Sequence, residues 1–179
     1  MDRFKKWAGR EYGERTRLVA IIFGGILFWV IIPACIILGA HSLDRWLGLP
    51  RLVYDSVNVL VGSIFIITGW LFANWTVKVQ YSLGRGTPIP LMATQKLVIE
   101  GPYQYCRNPM TLGTTVFYLG VAIWLGSLSG LGLAMIYPVG IMFYIKVFEE
   151  KELETRFGSE YLEYKRKTPS LKPRLRRGK

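Results

Sequence analysis

Residues 111–147 read TLGTTVFYLGVAIWLGSLSGLGLAMIYPVGIMFYIKV. The only charge in this stretch is Lys146 at its end, and the only break is Gly126-Ser127-Leu128-Ser129-Gly130. Each half approaches the ~20 apolar residues that a helix needs to cross a ~30 Å hydrocarbon core. The break has the composition of a tight turn, so the stretch reads as two membrane spans joined in a hairpin. Working outward, residues 57–77 form an uncharged run of similar reach, and residues 18–40 form another. Inside a bilayer the backbone must satisfy its own hydrogen bonds, which favours helices. The expected fold is an all-α integral membrane protein with about four transmembrane helices and a cytoplasmic C-terminal helix, built as one membrane domain over residues 1–179.

The net charge of +11 is compatible with a nucleic-acid binder, but in a chain that is 51% hydrophobic the placement of the apolar residues decides. A soluble binder spreads them along amphipathic elements. Here they are gathered in uncharged runs, so no nucleic-acid partner is expected. Basic residues mark one side of the membrane. Arg3, Lys5, Lys6, Arg10, Arg15 and Arg17 precede the first run, and Lys78, Arg85, Lys96 and Arg107 lie between the second and third. Only Arg45 and Arg51 separate the first two runs, and the turn of the hairpin has none. The positive-inside rule then puts both termini and the middle loop in the cytoplasm, with the protein in the cell membrane.

The first run is too long for the apolar core of a secretory leader and lacks a small-residue cleavage site, so it is expected to be a span. Residues 1–17, with Phe4, Trp7 and Tyr12 among the cations, suit a basic interfacial segment. The basic tail from Lys165 onward suits contact with anionic lipid head groups. Cys35 and Cys106 have neither disulfide nor metal-ligand spacing and are expected to be packing residues. His41 is the lone histidine, expected at the interface, and no metal site is anticipated.

Two polar blocks bracket the hairpin. The first runs Gly101-Pro102-Tyr103-Gln104-Tyr105-Cys106-Arg107-Asn108-Pro109-Met110, and the second runs from Glu149-Glu150 to Tyr161 and Tyr164. A hairpin returns both to one membrane face. There, Glu149 or Glu150 can match a cationic cofactor by charge, and the tyrosines can do so with their ring faces. Pro102 and Pro109 keep the first block irregular, which is tolerated at membrane depth only where backbone lines a cavity. Asn74, in an otherwise apolar helix, requires a partner. Gly84-x-Gly86 has no strand before it, so it fails the context of a dinucleotide-binding loop. Methyl transfer from a sulfonium would ask mainly for alignment and exclusion of water. No side chain stands out as the catalyst, and the catalytic residues are left unassigned.

The same blocks resemble the signature of the isoprenylcysteine carboxyl methyltransferase and phospholipid methyltransferase superfamily. The resemblance is carried by Gly101-Pro102-Tyr103, Arg107-Asn108-Pro109, Gly113, Glu149-Glu150, Phe157-Gly158-Ser159-Glu160-Tyr161-Leu162-Glu163-Tyr164 and Pro169, together with the Gly86-Thr87-Pro88 loop. It implies a membrane enzyme that uses S-adenosylmethionine, bound by residues 84–173 in a cytoplasm-facing pocket with a lateral opening to lipid. The implied cofactor contacts are Gln95, Lys96, Leu97, Val98, Tyr103, Asn108, Pro109, Met110, Thr111 and Glu149, with Lys146 and Glu150 toward the substrate.

The implied acceptor is a membrane lipid or lipophilic small molecule bearing a carboxylate, thiol or amine. Asn108 stands where the prenylcysteine enzymes have His, Thr111 where Tyr is common, and Ile145 where they place a substrate-binding Arg. Lys146 beside it lacks the bidentate fork of Arg. Sterol reductases share a similar C-terminal architecture, which leaves two alternatives: a reductase using a reduced nicotinamide dinucleotide, or a non-catalytic protein of this fold. The acidic pair favours a sulfonium over an anionic dinucleotide.

Overall fold

The computed structural model describes residues 13–52, 55–84 and 94–173, and these are all-helical. Most of the expected interfacial segment, the Gly86-Thr87-Pro88 loop and the end of the basic tail lie outside the described residues. Helix α1 is Glu14–Leu47, α2 is Asp55–Leu83, α3 is Pro109–Leu125 and α4 is Leu128–Tyr144. A π-helical turn at Ile145–Glu149 carries α4 into α5, Glu150–Lys167. Glu14–Leu47, Ser56–Leu83 and the continuous helix Leu128–Lys167 are long and apolar enough to cross a membrane. At 17 residues, or about 26 Å, α3 stands at the lower limit for a span. Leu38, Ile136, Val139 and Phe143 are among the many large apolar side chains left exposed on these helices. A water-facing surface does not carry so many. The chain is an all-α integral membrane protein.

Contacts among the described residues fall into two compact units. One comprises Met1–Gly24, Asn74–Met110 and Met142–Lys179, the other Gly25–Ala73 and Thr111–Ile141. The second unit is a helix-packing core. Its centre is Ile36, Phe117, Tyr118, Val121, Ala122 and Ala134. Lipid tails are as apolar as leucine, so burial alone does not hold helices together in a bilayer, and close backbone approach matters more. Gly62 and Gly69 on α2 face Gly113 and Gly120 on α3, each pair seven residues apart. A Cβ on Gly113 would stand 2.8 Å from the Ala73 nitrogen, and one on Gly120 would stand 2.6 Å from that of Ile66.

Proline and tyrosine together account for the π turn within α1. Pro33 has no N–H, so the helix before it loses a donor. The backbone widens into a π turn at Leu27–Ile31, where the Ile32 N–H reaches the Leu27 carbonyl. In that register the Phe28 carbonyl would look to Pro33. The Tyr118 hydroxyl from α3 donates to it instead, at 3.0 Å.

The hairpin turn is tighter than its sequence suggests, because α4 already begins at Leu128. Gly126 takes a positive φ of 63°. The Ser127 hydroxyl accepts from the Gly130 N–H at 2.8 Å, capping the helix. The Asp44 carboxylate accepts from the Ser129 N–H at 3.1 Å and from the Ser127 and Ser129 hydroxyls at 2.5 and 2.6 Å. A carboxylate from α1 thus satisfies the first turn of α4. Cys35 is exposed on α1 and is not the packing residue expected, whereas Cys106 is fully buried. His41 is exposed, as expected, and pairs with Arg45 at 2.6 Å.

Substituting Gly120→Ala should lower stability by about 1–3 kcal/mol, because the new methyl meets rigid backbone. Gly132→Ala, where nothing lies within 4 Å, should be neutral or slightly stabilising. Thermal unfolding of the two variants in detergent checks the contrast.

Candidate functional site

The first unit gathers both polar blocks. Gly101, with φ 59°, and Pro102 close a short 3-10 turn at Gly101–Gln104, so the first block is a tight turn followed by an extended link to Pro109, the first residue of α3. This is more regular than the irregular loop expected, because Pro102 suits the first turn of a helix. In the second block, α5 bends at Gly158, whose φ of 51° and ψ of −125° are non-helical. The helix ends at Lys167, and the chain then turns back along the first block. The Arg107 and Asn108 N–H groups donate to the Pro169 and Ser170 carbonyls at 2.9 and 3.0 Å.

One guanidinium locks this arrangement. Arg107 donates through Nη1 to Glu150 Oε1 at 2.6 Å and to the Tyr161 hydroxyl at 3.0 Å, and through Nε to the Thr168 carbonyl at 3.0 Å. Lys165 takes the other Glu150 oxygen at 2.7 Å and Glu154 at the same distance. Burial works against a charge on Glu150, but the hydrogen bonds from Lys165 and Arg107 offset it and hold the carboxyl below the usual range. Tyr161 is 2% exposed, so this ion pair is largely sheltered from screening.

A second set of contacts surrounds Tyr103. Its hydroxyl donates to Gln80 Oε1 at 2.6 Å, and its carbonyl accepts from the Tyr164 hydroxyl at 2.7 Å. Burial, then the nearby charge of Glu149, pushes the Tyr103 phenol well above its ordinary range, so it stays protonated. Glu149 lies beyond the apolar part of its helix and is half-buried. Burial, then the carboxylates of Glu152 and Glu150, push it up to about 7. Among the described residues Glu149 has no ion-pair partner, while Glu150 has two and Glu152 and Glu154 have one each. The Tyr144 and Phe148 rings stack nearby in sequence, with centroids 5.6 Å apart. A half-buried carboxylate without a cation, set among tyrosines, suits a positively charged ligand.

The expected contacts fall as follows. Glu149 lies within electrostatic reach of the Tyr103 hydroxyl. Gln95 and Lys96 fold onto the Gly84 carbonyl, with N–H to oxygen distances of 2.8 and 3.4 Å, and Arg156 bonds the adjacent Thr94 carbonyl. Leu97 is half-buried and Val98 buried, the latter beside Gly84. Asn108 turns its amide to the Ser170 carbonyl and hydroxyl at 3.2 and 2.9 Å. Pro109 is buried, Met110 is half-buried, and Thr111 is buried with its carbonyl bonded to the Thr115 hydroxyl. Lys146 is exposed, and Glu150 commits both oxygens to the clasp on Arg107 and Lys165. Sequence reading did not single out Gln80 or Ser170. Both lie outside the two blocks and carry no motif, so only the fold reveals them. Among the described residues no group of three or more His, Cys, Asp or Glu could hold a metal ion.

The phospholipid methyltransferase family model matches residues 57–160, more than half of the chain, and takes in the first polar block and Glu149. The chain belongs to the phospholipid methyltransferase family. Two relatives match over shorter stretches. The nickel-cobalt-cadmium resistance protein NccN of Alcaligenes xylosoxydans xylosoxydans is 33% identical over 85 residues, covering 45% of this chain and 37% of its own. The cobalt-zinc-cadmium resistance protein CzcN of Cupriavidus metallidurans is 34% identical over 84 residues, covering 44% and 36%. The chain therefore spans little more than a third of the length of the curated relatives it matches.

The two adjacent glutamates should titrate in opposite senses. Glu149, raised from 4.5 to about 7, binds its proton more tightly in the folded state, so stability falls as pH rises from about 4.5 to 7. Glu150 is lowered, so its contribution is lost only as pH falls below 4.5 through its folded value. Glu149→Gln should remove the decline and be more stable than the parent at pH 8, by on the order of 2 kcal/mol. Melting temperatures from pH 4.5 to 8 check the sign.

Proposed function

We propose that this protein is an S-adenosylmethionine-dependent methyltransferase acting on a hydrophobic or lipid-like acceptor at the cytoplasmic face of the cell membrane. Family membership supports methyl transfer, and the observation that carries the cofactor reading is Glu149, a half-buried carboxylate within electrostatic reach of Tyr103 and without an ion pair among the described residues. The donor set fits a sulfonium with an amino-acid head, since Glu149 offers charge to a cation and the tyrosines offer ring faces and hydroxyls. When bound, the cofactor would supply an already activated methyl group.

The chain's own part is then positional. Tyr103, held by Gln80 and Tyr164, forms a stiff wall. Arg107 and Asn108, strapped to residues 168–170, keep the turn into α3 in place. Residues 84–173 make up the cofactor-binding region in this reading, and both termini are cytoplasmic by the distribution of Lys and Arg. The acceptor is a membrane lipid or lipophilic molecule presenting a carboxylate, thiol or amine. An anionic dinucleotide would meet the carboxylate of Glu149, which has no cation beside it among the described residues and opposes its charge.

Calorimetric titration of the full chain in detergent, with S-adenosylmethionine and separately with reduced nicotinamide dinucleotide, tests the reading. The sulfonium should bind and the dinucleotide should not. Glu149→Gln should weaken sulfonium binding about tenfold or more, the loss of one charge-assisted contact. The parent's affinity should decline as pH falls below about 7, because a protonated Glu149 no longer matches the cation. Equal binding by the parent and Glu149→Gln would overturn the assignment of that residue.

A further inference from the structure

The second unit contains a hollow of about 330 Å³ where α1 ends, lined by residues that the methyl-transfer reading does not use. Its walls divide by chemistry. Ile37, Leu49 and Leu125 make an apolar flank, while Arg45 and Arg51 bring two guanidinium groups. Asp44 is the one acidic residue in the lining. Its carboxylate already accepts from the Ser127 hydroxyl and from both the N–H and the hydroxyl of Ser129. Arg51 acts on Asp44 only through space, and neither arginine forms an ion pair among the described residues. His41 shares its ring nitrogen with Arg45, which leaves that guanidinium four further N–H groups. With two arginines against one aspartate, the hollow carries one net positive charge. Trp46, next in sequence to Arg45, is 81% exposed, as befits a tryptophan at head-group level.

The geometry points to a second ligand site here, for an anionic phospholipid whose phosphodiester meets Arg45 and Arg51 and whose upper acyl chain lies along Ile37, Leu49 and Leu125. Three features select this occupant. Arginine recognises a phosphate through paired N–H groups. The exposed Trp46 beside Arg45 suits head-group level, where a phosphodiester lies. The net positive charge of the hollow, with two arginines against Asp44, favours a head group of net negative charge over a zwitterionic one. The site is independent of the methyl donor and of the acceptor.

Native mass spectrometry of the full chain in detergent tests this, with dioleoyl-phosphatidylglycerol and dioleoyl-phosphatidylcholine offered at equal concentration. The parent should retain one phosphatidylglycerol in preference. The Arg45→Gln/Arg51→Gln double variant should bind it about tenfold more weakly. An Arg166→Gln/Lys172→Gln variant, which removes charge from the basic C-terminal surface, should bind as the parent does. Leu49→Trp fills the apolar flank with both arginines intact and should also lose the lipid, so the test survives a misfolded double variant. Glycerol phosphate, which has no acyl chains, should not compete. Equal retention of the two lipids would overturn the proposal. So would loss that follows Arg166 and Lys172 instead of Arg45 and Arg51, or effective competition by glycerol phosphate.

Discussion

The guanidinium of Arg107 is the constraint on which the first unit depends. It joins the loop before α3 to the carboxylate of Glu150, to the hydroxyl of Tyr161 and to the carbonyl of Thr168. A charged pair withdrawn from water needs its remaining hydrogen-bonding capacity filled, and removing one partner leaves the other buried and unmatched. Here Tyr161, Thr168 and Lys165 fill it. With the clasp closed, residues 168–170 lie along Arg107 and Asn108, and Tyr164 reaches the Tyr103 carbonyl. Segments far apart in the chain thus hold Tyr103 in one orientation. The same lock explains why Asn108 faces Ser170, since the backbone bonds on either side bring that residue within reach of its amide.

Adjacent carboxylates take opposite roles because of where the helix places them. Glu149 closes the π turn and Glu150 opens α5. A π turn inserts one residue into the helical register, and such insertions gather at functional sites. Glu150 is neutralised by two cations and acts structurally. Glu149 has no such cation among the described residues, and burial, then the carboxylates of Glu152 and Glu150, hold its proton more tightly. A carboxylate in that condition is stabilised by an arriving positive charge.

The second unit is built on different forces. Water gives its helices no hydrophobic reason to associate within a bilayer, so glycines seven residues apart allow α2 and α3 into backbone contact. Pro33, the π turn and the Tyr118 hydroxyl form a single solution to one missing donor. Asp44 performs a similar service at the first turn of α4. In each case a polar atom inside an apolar body is matched, because an unmatched one is costly there. The charges that remain outward at the end of α1 belong to Arg45 and Arg51.

The sequence alone determined that the chain is helical and membrane-embedded, since long uncharged runs admit little else in a bilayer. It also located the two polar blocks and their likeness to membrane methyltransferases, because Gly-Pro-Tyr, Arg-Asn-Pro and the paired glutamates are local patterns with fixed spacing. It reached the break at Gly158, where a glycine interrupts helical periodicity. Tertiary structure decided which of those residues serve the clasp and which are left without a cation among the described residues. Glu149 and Glu150 are indistinguishable by type and differ only in their neighbours across space. Gln80 and Ser170 belong to no motif, and their partners are 23 and 62 positions away. Helix phase exposes Cys35 on α1, while Cys106 is buried in the link before α3. Hydrogen-bond partnership and burial depend on the relative placement of distant segments, and composition and periodicity do not encode that placement one residue at a time.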